Sequence, residues 1–205
     1  VTIMFYYNQT VNDNEKYKEE SKNFSSILTE KSLKSRTLFI SGEINQELAE
    51  KVCTKLLILE ELSDEPIKIF INSQGGHVES ADTIHDVIKF IKPKVIMIGT
   101  GWVASAGITI YLAAEKENRY SLPNTRYMIH QPLGGFNGPA TDIGIEAKEI
   151  LRVRTRINNL ISEATNQPIE KVNKDTDRNY WLTSTEALEY GLVNKIISKH
   201  SDLCD

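Results

Sequence analysis

Three times between residues 37 and 115, a short run rich in β-branched residues is followed by a longer segment with apolar positions at helical spacing. This repeat constrains the fold more than any single residue does. TLFISG (37–42) leads into INQELAEKVCTKLLILEEL (44–62), IKIFINS (67–73) into VESADTIHDVIKFI (78–91), and VIMIG (95–99) into the stretch containing Ser105. Leu48, Val52, Leu56 and Leu57 recur at helical spacing, as do Ile84, Val87, Ile88 and Ile91, so each long segment has an apolar side for a sheet to cover. β-then-α units with crossovers of this length predict an α/β fold with a parallel core sheet and right-handed connections. A chain of 205 residues is long enough to bury one substantial core.

Further along, RYMIHQ (126–131) reads as another strand and PLGGFNG as a Pro/Gly loop. Pro139 opens a helical pattern that runs to about residue 165, with Ile145, Ile150, Val153, Ile157, Leu160 and Ile161 as its apolar stripe. At 1.5 Å per residue such a helix extends roughly 39 Å, more than is needed to cover a core of this size, so part of it is expected to meet another subunit. A shorter helix is expected over IEKVNKDTDR (169–178). Thr183 and Glu186 have capping-box spacing for STEALEYG, Gly191 can stop that helix, and LVNKII (192–197) reads as the last strand. Residues 1–30 differ from the rest: a polar arm carrying the aromatic cluster Phe5, Tyr6 and Tyr7, which could anchor a subunit contact.

Several function classes are disfavoured. A formal charge of −4, with no basic run interleaved with aromatics, offers nothing to gather nucleic acid. No apolar stretch reaches the roughly 18 residues of a membrane span, and the N-terminal stretch lacks a basic segment ahead of an apolar core, so a cytoplasmic location is expected. Cys53 and Cys204 form no closely spaced framework and read as free thiols, Cys53 as core filler, although spacing leaves a single bridge open. His77, His85 and His200 are scattered and there is no H-E-x-x-H, so no metal site is expected. Gly75 and Gly76 fit neither phosphate-binding glycine pattern.

Within GWVASAGITIYLAAE (101–115), Ser105 is set among Ala104, Ala106 and Gly107, which leaves its hydroxyl either tightly packed or unusually accessible. It does not fit the G-x-S-x-G elbow, because Val103 stands where the first glycine would be. Yet Ser105 follows one expected strand, Gly76 follows another and His130 ends a third, and parallel strands bring their carboxyl ends together on one side. A serine hydroxyl is a weak nucleophile without a base, and His130 is the one histidine at a strand end. Backbone N–H groups of Gly76 and Ala106 could receive an oxyanion. Spacing alone leaves a second reading open: a small serine packed at a helix start and a histidine satisfied by hydrogen bonds.

The segments INSQGGHVESADTIHDVIKFIKP, GTGWVASAGITIYLAAEKENRYSLPNTRYMIHQPLGGFNGPATDI and KDTDRNYWLTSTEALEYGLVNKII closely resemble the proteolytic subunit of the Clp protease, a serine peptidase family of the ClpP/crotonase fold. The likeness runs from about residue 30 to 198, and the MIHQPLGG run with the preceding LPNTR is its most specific part. The resemblance implies one ClpP-like domain over 31–198, a handle over about 134–165, an N-terminal arm at an axial pore and a C-terminal tail over 199–205. It implies two stacked seven-membered rings, formed by self-association or with a second paralogue. It also implies an AAA+ unfoldase that consumes ATP, unfolded protein substrates, and no cofactor in this subunit. The family's nucleophile falls on Ser105, its base on His130 and its oxyanion donors on Gly76 and Ala106. The apolar substrate pocket falls on Val78, Pro132, Leu133 and Ile157, and ring-to-ring ionic contacts fall on Asp142, Asp177 and Arg178. Val78 and Ile157 read equally well as core positions, and the three charged residues as a solvated surface.

The pattern breaks at the third catalytic position, where the family has aspartate and this chain has Asn179. An amide can hold His130 but brings no charge to an imidazolium, and in another serine-protease fold that change lowers turnover by about 10⁴. Asp175, four residues earlier, could assist from the same helical face or be a plain exposed carboxylate. Gln74, Trp102 and Ala106 also depart from the residues usual in the family, which marks a divergent paralogue. Three expectations result: a serine endopeptidase with weak or conditional activity, a catalytically impaired structural or regulatory subunit of a mixed barrel, and a crotonase-type acyl-CoA enzyme. The MIHQPLGG signature argues against the last.

Overall fold

The computed structural model describes residues 27–203, and the chain divides into two units, 1–37 and 38–205. The described part of the first unit is a helix over residues 27–35, after which the Ser32 hydroxyl donates to the Thr37 carbonyl at 2.8 Å. Phe5, Tyr6, Tyr7 and Cys204 lie outside the described residues, as does most of the expected arm.

The second unit is built on β-α alternation. Strand β1 (Thr37–Ile44) is followed by helix α1 (Gln46–Leu62), β2 (Ile67–Gly76) by α2 (Val78–Phe90), and β3 (Val95–Ala104) by α3 (Ala106–Tyr111). Then come β4 (Arg119–Ser121), β5 (Arg126–Ile129), the long helix α4 (Ala140–Thr165), α5 (Ile169–Asp175), β6 (Tyr180–Thr183), α6 (Ser184–Tyr190) and β7 (Lys195–Ile196). The sheet runs β1-β2-β3-β4-β7, with β5 and then β6 branching from β3. Pairings β2–β3, β3–β4, β3–β5 and β4–β7 are parallel, and β5–β6 is antiparallel.

Period-two burial along β2 sends Ile67, Ile69 and Ile71 into the core, where Ile40, Ile44 and Met97 from the sheet and Leu56, Leu59 and Ile84 from the helices are buried as well. In α1 the covered row is Ala49, Val52, Leu56 and Leu59, while Leu57, expected on the covered side, is exposed. The Asn45 side chain caps α1 by accepting the Leu48 N–H at 2.9 Å. At α6 the expected capping box is present: Thr183 Oγ1 accepts the Glu186 N–H and the Glu186 carboxylate accepts the Thr183 N–H, with Gly191 closing the helix in the left-handed region.

Strand β3 is ten residues long and changes partner midway. Met97–Gly99 pairs with β4, whereas Trp102–Ala104 pairs with β5. Against β2 the register moves from Ile71↔Gly99 to Ser73↔Val103, so β3 carries two extra residues between those pairs. The extra backbone is held by Asn72, whose Oδ1 accepts the Trp102 N–H at 3.3 Å. This fork separates the β5–β6 branch from the main sheet and sends the end of β3 toward it. Strands β4 and β6, three and four residues long, were not expected from the sequence pattern. Asp175, the last residue of α5, neither reaches His130 nor stands as a plain exposed carboxylate. It turns inward to accept from Lys171 Nζ at 2.7 Å and from the Tyr190 hydroxyl at 2.9 Å.

Candidate active site

Ser105 occupies the one-residue turn between β3 and α3, with φ 54° and ψ −125°. Few non-glycine residues adopt such a conformation; here it turns the chain sharply from strand to helix. The turn is pinned by the Ser105 N–H, which donates to the Met128 carbonyl of β5 at 2.9 Å. Met128 lies two residues before His130, so one backbone bond fixes the spacing between the serine and the histidine.

His130 Nε2 stands 2.7 Å from Ser105 Oγ, and His130 Nδ1 stands 3.1 Å from Asn179 Oδ1. An amide oxygen can only accept, so Nδ1 carries the proton and Nε2 keeps its lone pair for the serine hydroxyl. Burial pushes the His130 pKa below its ordinary value, while the Asn179 hydrogen bond pulls the other way. The imidazole is therefore held neutral, the state a general base needs.

Gly75 and Gly76 bring the end of β2 against this turn. A Cβ on Gly75 would come 2.6 Å from the Ser105 Cβ and 3.1 Å from the Ala106 nitrogen, and one on Gly76 would come 2.2 Å from the Ile44 carbonyl oxygen. With φ of 100° and 150°, both positions favour glycine on conformational grounds as well. Ala106 is the first residue of α3, so its N–H has no partner within the helix.

Beside Ser105 lies a narrow apolar cleft of about 20 Å³ lined by residues that include Val78, Ala106, Ile129, Pro132, Ile157 and Ile161. Of the expected pocket residues, Val78, Pro132 and Ile157 line it. Leu133 does not: it is 84% exposed, because the chain leaves the surface after Pro132. The cleft has room for about one water, less than a large apolar side chain fills. A larger cavity of about 700 Å³ between α2 and α4 includes Asp82, His85 and Arg156 in its lining but none of Ser105, His130 and Asn179. There Arg156 grips Asp82 through two bonds of 2.8 and 2.5 Å.

A second layer of polar contacts, not expected from the sequence, backs the site. The Gln131 N–H donates to the Thr176 carbonyl at 2.6 Å and Gln131 Nε2 to the Asp177 carbonyl at 2.7 Å. The Thr176 hydroxyl is shared between the Val172 carbonyl at 2.8 Å and Asn158 Oδ1 at 3.1 Å, and Asn158 Nδ2 donates to Asn173 Oδ1 at 2.7 Å. Asn158 and Thr176 are fully buried. The chain of contacts runs from α4 through the end of α5 to the residue next to His130. The one sequence signal for it is a polar Asn158 inside the apolar stripe of α4.

The remaining expected positions lie on the handle side. Asp142 is exposed in the first turn of α4. Asp177 pairs with the partly covered Arg154 of α4 at 3.4 Å and approaches the exposed Arg178 at 3.8 Å. Ile143, Ile145 and Leu151 on α4 are exposed, whereas Ile161 is buried, so the apolar stripe is covered only toward its carboxyl end. Among the described residues no group of three or more His, Cys, Asp or Glu side chains is placed to hold a metal, and no helix is long and apolar enough to cross a membrane.

The family model described as Clp protease matches residues 19–200. ATP-dependent Clp protease proteolytic subunit 3 of Rhizobium etli is 59% identical over 83% of this chain and 88% of its own length. Proteolytic subunit 2 of Pseudomonas aeruginosa is 53% identical over 86% of this chain and 88% of its own. The solved structure of ClpP1 from Listeria monocytogenes matches with a TM-score of 0.79 at 65% identity, covering 86% of this chain and 99% of that one. An asparagine-to-aspartate mutant of the Listeria protein matches with a TM-score of 0.81 at the same identity and coverage.

Proposed function

Because the chain belongs to the Clp protease family, we propose that it is a serine endopeptidase subunit that cuts unfolded polypeptides to short peptides, with Ser105 as nucleophile and His130 as base. The observation that carries this reading is the continuous hydrogen-bond chain from Asn179 through His130 to Ser105.

Ser105 Oγ attacks the scissile carbonyl as its proton passes to His130 Nε2. The N–H groups of Gly76 and Ala106 receive the oxyanion, and the cleft lined by Val78, Pro132 and Ile157 takes the apolar side chain beside the cut bond. The imidazolium then protonates the leaving amine, and water, deprotonated by the same histidine, releases the acyl group. Asn179 keeps the ring in its tautomer throughout but gives the imidazolium no counter-charge, and burial of His130 also works against that cation. Intrinsic turnover is therefore low.

The assembly we propose is a pair of stacked heptameric rings of this chain, alone or with a second paralogue, in the cytoplasm. An AAA+ unfoldase feeds the rings and spends the ATP, and this subunit itself takes no cofactor. The exposed apolar stripe on the amino-terminal half of α4, with Asp142, Asp177 and Arg178, suits contact between rings. The test is labelling by a fluorophosphonate or β-lactone, with S105A as control, on the purified chain alone and mixed with any second proteolytic subunit of the same cell. Labelling of the wild type at Ser105, lost in S105A, is expected; failure in both settings overturns the reading.

The neutral Asn179 favours a second reading, a catalytically impaired subunit that shapes a mixed barrel or selects its unfoldase. In the assembled complex, S105A then cleaves peptides as fast as the wild type, whereas an active subunit loses its share.

A further inference from the structure

The three strands that present Ser105, His130 and Asn179 are tied together a second time, on the protein surface. Trp102 lies on β3 three residues before Ser105, Arg126 on β5 four residues before His130, and Trp181 on β6 two residues after Asn179. The Trp102 and Trp181 rings stack with centroids 6.3 Å apart and planes 9° from parallel, and the Arg126 guanidinium lies 4.3 Å from the Trp181 centroid. Trp102 pairs with Arg126 along β3–β5, and Met128 with Trp181 along β5–β6. The two rings therefore close over the intervening strand.

The backbone alone holds this branch weakly. Among the described residues β6 is an edge strand of four residues paired with β5 alone, itself four residues long. The pairing of Ile129 with Tyr180 in that short ladder sets where Asn179 stands relative to His130. A carboxylate at position 179 would add a charge-assisted bond, roughly twice as strong as a neutral one, and would keep the imidazole aligned through small strand movements. An amide lacks that hold, and turned over it presents N–H donors to Nδ1. Placement by the surrounding strands then matters more.

We propose that Trp102, Arg126 and Trp181 are positioning residues, a surface staple that clamps β6 to β3 across β5 and so holds Asn179 on His130 in the absence of a charged third residue. The proposal rests on the reading of Ser105 as nucleophile. The staple touches neither substrate nor the reacting atoms and acts through strand register. Trp102 supplies the ring that Trp181 stacks on.

The test uses the full chain in its assembled form and compares wild type, W102A, W181A, W102F and S105A, with W102A also placed on an N179D background. Fluorophosphonate labelling rate at Ser105 is measured together with kcat and KM for a short peptide. Far-UV circular dichroism and the elution volume of the assembled form check folding in the single variants. W102A and W181A are each expected to lower the labelling rate and kcat about tenfold with KM little changed, in line with the effect of small misplacements on rate. W102F restores the rate, because a phenyl ring still stacks, and W102A on N179D has less than about a twofold effect, because the carboxylate then aligns the ring. The staple is overturned if W102A labels at the wild-type rate, if W102F does not rescue, or if the loss is equal on both backgrounds. Absence of labelling in the wild type overturns the nucleophile reading instead.

Discussion

Asn179 Oδ1 meets His130 Nδ1 at 3.1 Å, the contact a third catalytic residue makes, but it does so with an amide. The contacts that proton transfer from Ser105 to His130 would need are formed, and a charge beside His130 Nδ1 is not. That division between geometry and charge frames how the protein should respond to substitution.

Replacing Asn179 with aspartate supplies the charge with almost no change of shape. Expected is a rise in kcat for peptide hydrolysis of at least about tenfold, within the roughly 10⁴ that the reverse change removes in another serine protease fold. Steady-state kinetics against S105A measure it. No gain would locate the limiting defect elsewhere than in the amide.

The pH dependence follows from the lowered His130 pKa. Burial is the larger cause, so the base stays neutral to a lower pH than an ordinary histidine, and the acid limb of kcat/KM in the wild type lies below the usual histidine value. In N179D a neighbouring carboxylate favours the imidazolium and moves that limb upward. A pair of pH profiles checks both the position and the direction of the shift.

Thr176→Val keeps the shape of a fully buried side chain but removes the hydroxyl shared between the Val172 carbonyl and Asn158 Oδ1. An acceptor left unpaired in the interior costs about 1–3 kcal/mol, read as a lower denaturation midpoint. Since the Thr176 carbonyl holds the Gln131 N–H beside His130, the labelling rate at Ser105 is expected to fall as well.

Ile157 lines the narrow cleft beside Ser105 from α4. Ile157→Ala widens it and is expected to raise kcat/KM for peptides with bulky apolar residues beside the cut, relative to small ones. The cavity costs about 2 kcal/mol of stability, because Ile157 is only half-buried. A panel of short peptides differing at that residue gives the ratio.

Gly76→Ala places a Cβ 2.2 Å from the Ile44 carbonyl oxygen, so the end of β2 must move. With the Gly76 N–H as the proposed oxyanion donor, its displacement is expected to lower kcat by about 10² or more. Peptide hydrolysis and labelling by an active-site probe should both fall.

How much of this was legible in the sequence varies with the range of the interaction. Local periodicity is written residue by residue, so the β-α alternation, the length of α4 from Ala140 to Thr165, and the capping box at Thr183 and Glu186 could be read directly. The placement of Ser105 and His130 at strand ends follows from that alternation. Motif identity, beginning with MIHQPLGG, pointed to the family and exposed Asn179 as its exception. β4 and β6 were missed because three or four residues are too few to show a period of two, and because their pairing depends on where β3 forks.

The sequence by itself therefore determined the architecture and which residue types stand at the site. Tertiary structure decided how those residues meet. It set Ser105 in a strained turn pinned by Met128, turned Asp175 away to Lys171 and Tyr190, and left Leu133 outside the cleft. It joined Asn158 to Thr176 and stacked Trp102 on Trp181 over β5. The physical reason is range: helix and strand signals come from neighbours along the chain, whereas each of these contacts joins residues whose separation is fixed only once the sheet has chosen its strand order and register.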